Sequence, residues 1–279
     1  MKDFFQICYI VFLLSVTFNQ YFVHSQGKID SLYVELEKYD SDSNKARLLI
    51  KINEELKAKY SIANNLFKIG EYNKSINILN ELILRYQSNK DTFNTSKALL
   101  LLGKNYNLKG YKDSALVYIR NAIKTSKILD NKTIYCNILQ FCGNIYYEMG
   151  YSDSSLFYYH KALDISEEIR YLTFIPELHL NIAKIHNQYF NFEQEIKYLN
   201  LAKEEFSILG NQNGIARCRL NLGYNLGDNG YYKEAINEYL QSYKIFTQLN
   251  DFENQSIASL NIGKTYKKIE MLDSSIFYL

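Results

Sequence analysis

Apolar and small positions recur along the chain at helical spacing, i, i+3, i+6 and i+7, as in Leu116, Ile119, Ala122 and Ile123 or Ile236, Tyr239, Ser242 and Tyr243. They fall in blocks of roughly 16 to 18 residues separated by short polar or glycine-bearing breaks, among them "DNK" at 130 to 132 and "GNQNG" at 210 to 214. The blocks come in pairs, and the pairs repeat. "LGKNYNLKGYKDSA" (102–115), "CGNIYYEMGYSDSS" (142–155), "IAKIHNQYFNFEQE" (182–195), "LGYNLGDNGYYKEA" (222–235) and "IGKTYKKIEMLDSS" (262–275) align without a gap at a period of forty, and an earlier copy runs from 62 to 75. One proline in 279 residues leaves the helices almost unbroken. The pattern predicts an all-α solenoid of about six antiparallel helix pairs, with units near 58–88, 93–128, 133–168, 173–209, 213–249 and an incomplete 253–279.

The aligned columns have physical content. Ala63, Gly103, Gly143, Ala183, Gly223 and Gly263 stand in mid-helix, where glycine costs about 0.8–1 kcal/mol relative to alanine. Small residues at one phase therefore mark a place where a neighbouring helix comes close. Three residues on, Leu66, Tyr106, Tyr146, His186, Leu226 and Tyr266 share the same helix face. Gly70, Gly110, Gly150 and Gly230 sit where the first helix of each pair stops, a position suited to the left-handed conformation; Phe190 and Glu270 break this column. Ser75, Ala115, Ser155, Ala235 and Ser275 open a second small column, broken by Glu195. A carboxylate in a tight crossing is costly to bury, so a local shift in packing is expected in the fourth repeat. Gly223, Gly227 and Gly230 look like a phosphate loop when read alone, but two of them belong to repeating columns. Gly227 lacks a counterpart and is expected to leave a gap for a ligand side chain.

In this order of small residue, aromatic, turn glycine and small residue, the columns resemble the tetratricopeptide repeat over about residues 58 to 279. The forty-residue period departs from the usual spacing of about thirty-four, and the proline that commonly closes each unit is missing. The resemblance implies a right-handed superhelix whose first helices line a concave groove for a protein or extended peptide. Asn181, Asn221 and Asn261, one phase in three successive repeats, would then face the groove and bond a peptide backbone, since an amide both donates and accepts. The same residues equally suit solvated or locally bonded asparagines. Lys104, Asn144, Lys184, Tyr224 and Lys264 occupy the other groove phases, with Lys97 and Arg217 earlier on their helices, and their positive balance points to an acidic ligand.

Charge adds an exclusion. Thirty-two Lys and Arg are interspersed with 30 Asp and Glu, without the basic stripe that nucleic acid requires. The N-terminus carries a lysine, an apolar run from Ile7 to Phe18, and small residues at Val23 and Ser25. This predicts a secretory signal over 1–25, followed by a helical lead-in or cap over 26–57. The expected location is the periplasm or cell envelope. The apolar run is short of the roughly 20 residues that span a bilayer, so a membrane link would come only from an uncleaved signal or a missing downstream segment. After the cut, Cys136, Cys142 and Cys218 remain, an odd number, and read as buried apolar fillers.

Catalytic constellations are absent from the pattern. His179 and His186 lie two helical turns apart, too far to share a metal directly, and no Walker loop, GxSxG or CxxC occurs. No cofactor and no metal is expected, and the chain reads as a non-enzymatic binding scaffold. A secretory signal followed by a helical lead-in and long repeats is also similar to the sensory segment of bacterial histidine kinases and related membrane-linked regulators. The sixth unit ends at Leu279 with Ile276 and Phe277 uncapped, which predicts a truncated product or a fragment of a longer protein.

Overall fold

The structure, a computed structural model, describes residues 28–36, 42–129 and 131–278. The expected signal segment lies outside them. Every regular element among the described residues is an α-helix. They are α1 (28–36), α2 (Asp42–Lys68), α3 (Tyr72–Ser88), α4 (Thr92–Leu108), α5 (Lys112–Lys127), α6 (Lys132–Glu148) and α7 (Ser152–Glu168), then α8 (Ile175–Gln188), α9 (Phe192–Ile208), α10 (Gln212–Asp228), α11 (Tyr232–Gln248), α12 (Phe252–Lys268) and α13 (Leu272–Tyr278). In chain order α2 to α13 fall into six pairs, the all-α helix-pair solenoid class that the periodicity implies. The chain divides into two compact units, one up to Lys109 and one from Gly110.

In the first unit α2 runs without a break through residue 58, so the lead-in and the first repeat share one helix. Its Lys59 is buried against α3, where the ammonium meets Glu81 at 3.1 Å, and Arg85 holds the same carboxylate at 3.0 Å. In the second unit the core is laid down repeat by repeat. One cluster joins Cys136, Leu139, Tyr159, Leu163, Leu178 and Ile182; the next joins Leu180, Ala183, Leu199, Phe206, Cys218 and Leu222. Burial pushes the Cys142 and Cys218 thiols up to about 12, in keeping with apolar filling.

The close helix crossing has an identifiable cause. A Cβ built on Gly143 would lie 2.6 Å from the Tyr159 ring, and one on Gly223 would lie 2.5 Å from the Tyr239 ring. At Gly143 and Gly223 the small residue is thus set by the tyrosine sixteen positions later on the partner helix, whereas Gly103 has Ile119 at that place and does not follow this rule. Where that residue is leucine, as at Leu79 and Leu199, the small residue is alanine, Ala63 and Ala183. Within the second small column, the Ser155 and Ser275 hydroxyls donate to the Gly143 and Gly263 carbonyls at 2.8 and 2.9 Å.

Helix ends follow the same period. Asp91, Asn131, Asn211 and Asp251 each accept a hydrogen bond from the backbone N–H three residues on, capping α4, α6, α10 and α12. The fourth repeat has Tyr171 at this phase, and α8 starts later, at Ile175, with the chain's proline in its first turn. The departure of that repeat is therefore at the entrance of α8. Its turn keeps the common geometry, for Phe190 and Glu270 hold φ of 53° and 61° where Gly70, Gly150 and Gly230 hold 80° to 83°. A left-handed non-glycine residue costs about 1–2 kcal/mol, and Phe190 is 78% exposed, so little packing compensates. Phe190→Gly is expected to raise stability by about 0.5–1 kcal/mol after the extra entropy of glycine in the unfolded chain, measured by urea unfolding. Unchanged or lower stability would show that Phe190 contributes contacts that outweigh the strain.

Candidate functional site

Two adjoining pockets in the second unit gather most of the residues expected in the groove. The first, of about 230 Å³, is lined by Asn144, Tyr147, Glu148, Tyr159, Asn181 and Lys184. The second, of about 290 Å³, is lined by Tyr147, Lys184, Asn187, Glu195, Leu199, Asn221, Tyr224 and Asp228. Tyr147 of α6 and Lys184 of α8 belong to both. The contributing faces are those of the first helices α6, α8 and α10, since forty residues bring the same phase to the same face each time, with α7 or α9 closing the back.

The polar groups differ in how far they are occupied. The Tyr159 hydroxyl donates to Asn144 Oδ1 at 2.7 Å, which fixes that amide and turns its Nδ2 outward from the bond. Asn181 and Asn221 are half-buried, and among the described residues their side-chain amides have no hydrogen-bond partner. Such amides are ready to pair with an extended backbone. Tyr224 is partly exposed and meets Tyr239 edge to face at 5.7 Å. The Lys184 ammonium is lowered by burial and then by the Arg217 charge, with Glu177 acting against both.

Other expected positions lie elsewhere. Asn261 of α12 is buried, 7% exposed, its Nδ2 has no partner, and it lines neither pocket. Lys264 is exposed and lines neither pocket. Lys104 belongs to the first unit, where burial lowers its ammonium. Lys97 lies over the Tyr60 and Phe93 rings, 5.0 and 5.4 Å from their centroids. Arg217 is clamped by both oxygens of Glu177 at 2.9 to 3.2 Å. The positive balance read from the sequence is thus largely absorbed; Glu148 at the first pocket is paired with Lys112 at 3.4 Å, while Glu195 and Asp228 line the second with Lys184 as its one basic residue among the described residues.

Glu195 is the residue that column reading placed but did not explain. It is 3% exposed, and its Oε2 accepts from Asn187 Nδ2 at 3.0 Å and from Asn225 Nδ2 at 2.8 Å. The carboxylate is therefore buried and paired, and the repeat register stands. Burial raises its pKa, the two amides pull it down, and the Asp228 charge raises it again. Gly227 is also buried; Ala235 and the Tyr239 hydroxyl lie 3.7 and 3.8 Å from where its Cβ would be. The gap expected there is closed by α11, and Gly227 lines neither pocket.

The two histidines act in packing. His186 stacks on Tyr198 at 5.4 Å, as Tyr146 stacks on Tyr158 at 5.4 Å and Tyr266 on Tyr278 at 6.0 Å, all at one phase of the repeat. The buried His179 Nδ1 bonds Glu205 at 2.8 Å. Among the described residues no group of three or more His, Cys, Asp or Glu is placed to hold a metal, and no helix is long and apolar enough to cross a membrane.

The tetratricopeptide repeat family model matches residues 137–169 and 216–249, which are the α6/α7 and α10/α11 pairs. The fold class is that of tetratricopeptide-like helical repeat proteins. Among solved structures the chain is similar to BtubC of P. vanneervenii, at 18% identity and a TM-score of 0.63, covering 80% of this chain and 88% of that one. It is similar also to a signal transduction ATPase with a tetratricopeptide repeat sensor from Pyrococcus horikoshii, at 17% identity and a TM-score of 0.73, covering 83% of this chain and 36% of that one. Aspartyl phosphate phosphatase F of Bacillus subtilis matches at 17% identity and a TM-score of 0.63, over 91% of this chain and 72% of that one. A comparison of the sequence with curated proteins found no match.

Proposed function

We propose that the chain is a non-catalytic scaffold that binds an extended segment of a partner protein, or a free peptide, along α6, α8 and α10 of its second unit. The observation that carries this is the pair of unpartnered amides, Asn181 and Asn221, forty residues apart and each at the wall of a pocket. An extended peptide offers a backbone N–H and C=O at regular intervals, and a side-chain amide satisfies either. Continuity of the pockets through Tyr147 and Lys184 gives such a segment one path. A protein of the same fold, a Rap protein, has been solved in complex with competence and sporulation factor, at 13% identity and a TM-score of 0.53.

The proposal extends to an exported, envelope-located signalling assembly. Lys2 followed by the apolar run from Ile7 to Phe18 supports export. The signalling role, including that of a sensor segment in a longer histidine kinase or regulator, is supported by the arrangement of leader, lead-in and long repeats.

The test is a random peptide library on the immobilised chain. Changing Asn181 and Asn221 together to alanine is expected to weaken the retained peptides about tenfold, the effect of two lost hydrogen bonds of ordinary strength. Asn261→Ala is expected to leave binding unchanged. Equal retention by the double variant and the unaltered chain removes the groove assignment.

A further inference from the structure

We infer that the pocket around Glu195 receives a positively charged side chain, lysine or arginine, of the bound segment. The inference rests on the peptide-binding reading above and supplies its specificity.

Three observations carry it. Glu195 is almost fully buried at the pocket wall, yet both of its hydrogen bonds, from Asn187 and Asn225, go to Oε2. Among the described residues Oε1 accepts none, and it is not among the polar atoms sealed from water without a partner, so it stays open to an incoming donor. Asn225, held by the same carboxylate and 1% exposed, has its own Oδ1 without a partner. The polar network is thus built around one occupied oxygen and leaves acceptors over.

The second observation is charge. Asp228 lines the same pocket and its charge acts against that of Glu195. A cation entering between them would relieve the like-charge repulsion and give Oε1 a charged donor in place of water. Lys184 lines the pocket too, but no ion pair joins it to Glu195 among the described residues, and the charges that act on it are those of Arg217 and Glu177. It does not serve as the internal counter-ion.

The third is shape and wall chemistry. About 290 Å³ exceeds the size of a single side-chain head group, and Tyr147 and Tyr224 supply ring faces in the lining. Aromatic faces attract ammonium and guanidinium groups, and the methylene stem of a long basic side chain can lie along the same apolar ring surface. A neutral, protonated Glu195 would be the alternative way to quiet the site, and glutamine mimics that state.

The experiment uses the whole chain and two probes. A positional-scanning library of N-acetylated, C-amidated peptides carries Lys, Arg, Gln, Met or Leu at each varied position. A separate titration with n-butylammonium, against n-butanol, follows the side-chain amide NMR signals of Asn187 and Asn225. One library position is expected to select Lys or Arg about tenfold over Gln and Met. Glu195→Gln should lose that preference while still retaining peptides, and n-butylammonium, but not n-butanol, should move both amide signals in the unaltered chain alone. Should Glu195→Gln fail to fold by circular dichroism, Asp228→Asn takes its place, with the preference expected to fall severalfold. Peptides retained without a basic preference, or with one that both substitutions leave intact, overturn the pocket assignment while the peptide reading stands. A library that yields nothing while n-butylammonium still moves the amide signals overturns the peptide reading alone. Silence in both overturns both.

Discussion

Phe206→Ala is expected to cost about 3–5 kcal/mol of unfolding free energy, the usual range for deleting a fully buried aromatic side chain. Phe206 of α9 is 0% exposed and packs in the cluster of Leu180, Leu199, Cys218 and Leu222 that joins the fourth repeat to the fifth. Its ring lies where a Cβ on Gly214 would be, 2.4 Å away, so α10 approaches the ring through bare backbone. Nothing on that side can move in to fill the cavity. Repeat arrays are held by nearest-neighbour interfaces, so amide exchange should accelerate first in α8, α9 and α10. At the same two phases one repeat earlier stand Ser166 and Phe174. Phe206→Ser combined with Gly214→Phe exchanges the large and small partners, and a partial recovery of stability is expected. A loss under 1 kcal/mol in the alanine variant, by urea titration, would mean that Phe206 is not a structural anchor of this interface.

Gly223→Ala is expected to lower stability by about 1–2 kcal/mol, although alanine is the better helix former by about 1 kcal/mol. The new methyl would meet the Tyr239 ring at 2.5 Å, and forcing a methyl into a packed crossing costs about 1–3 kcal/mol. The sign should reverse when the ring is removed. In Tyr239→Leu the same Gly223→Ala change rebuilds the Ala183 and Leu199 pairing of the preceding repeat, so here alanine is expected to stabilise. A double-mutant cycle reads the coupling directly. Additive effects of the two substitutions would show that crossing distance, and not the tyrosine, sets the glycine at this crossing.

These two cases show how far the chain could be read without coordinates. Gly223 and Gly143 were legible as sites of close approach because helical glycine is expensive and recurs at one phase. The object approaching them was not, since a column records spacing along one helix and Tyr239 stands on the next. Phe190 and Glu270 break the glycine column in the sequence, yet the backbone there takes the same left-handed turn as at the glycines. The helix-ending hydrogen bonds, Asn191 N–H to the His186 carbonyl and Met271 N–H to the Tyr266 carbonyl, hold the residue in a conformation its own chemistry disfavours.

The site was legible in part. Asn144, Asn181, Lys184, Asn221 and Tyr224 came from the phase of the first helices, and all five line the two pockets. Lys97 and Arg217 share the sequence character of groove cations, but ring faces and Glu177 engage them. Asn261 sits at the phase of Asn181 and Asn221 and is buried. Glu195 stood out as a misfit in a small column, and that was the available signal. Its partners, Asn187 eight residues before and Asn225 thirty residues after, follow no spacing of one helix.

The amino-acid sequence alone determined the helical class, the forty-residue repeat, the turn positions and the shared face of the first helices. Each of these follows from local periodicity and from the backbone preferences of glycine, proline and the apolar residues. Only the tertiary structure decided which charges remain open and where the acceptors converge. A pocket such as that of Glu195 is assembled by α6, α8, α9 and α10 together, and burial and pairing are properties of that assembly, not of any one segment.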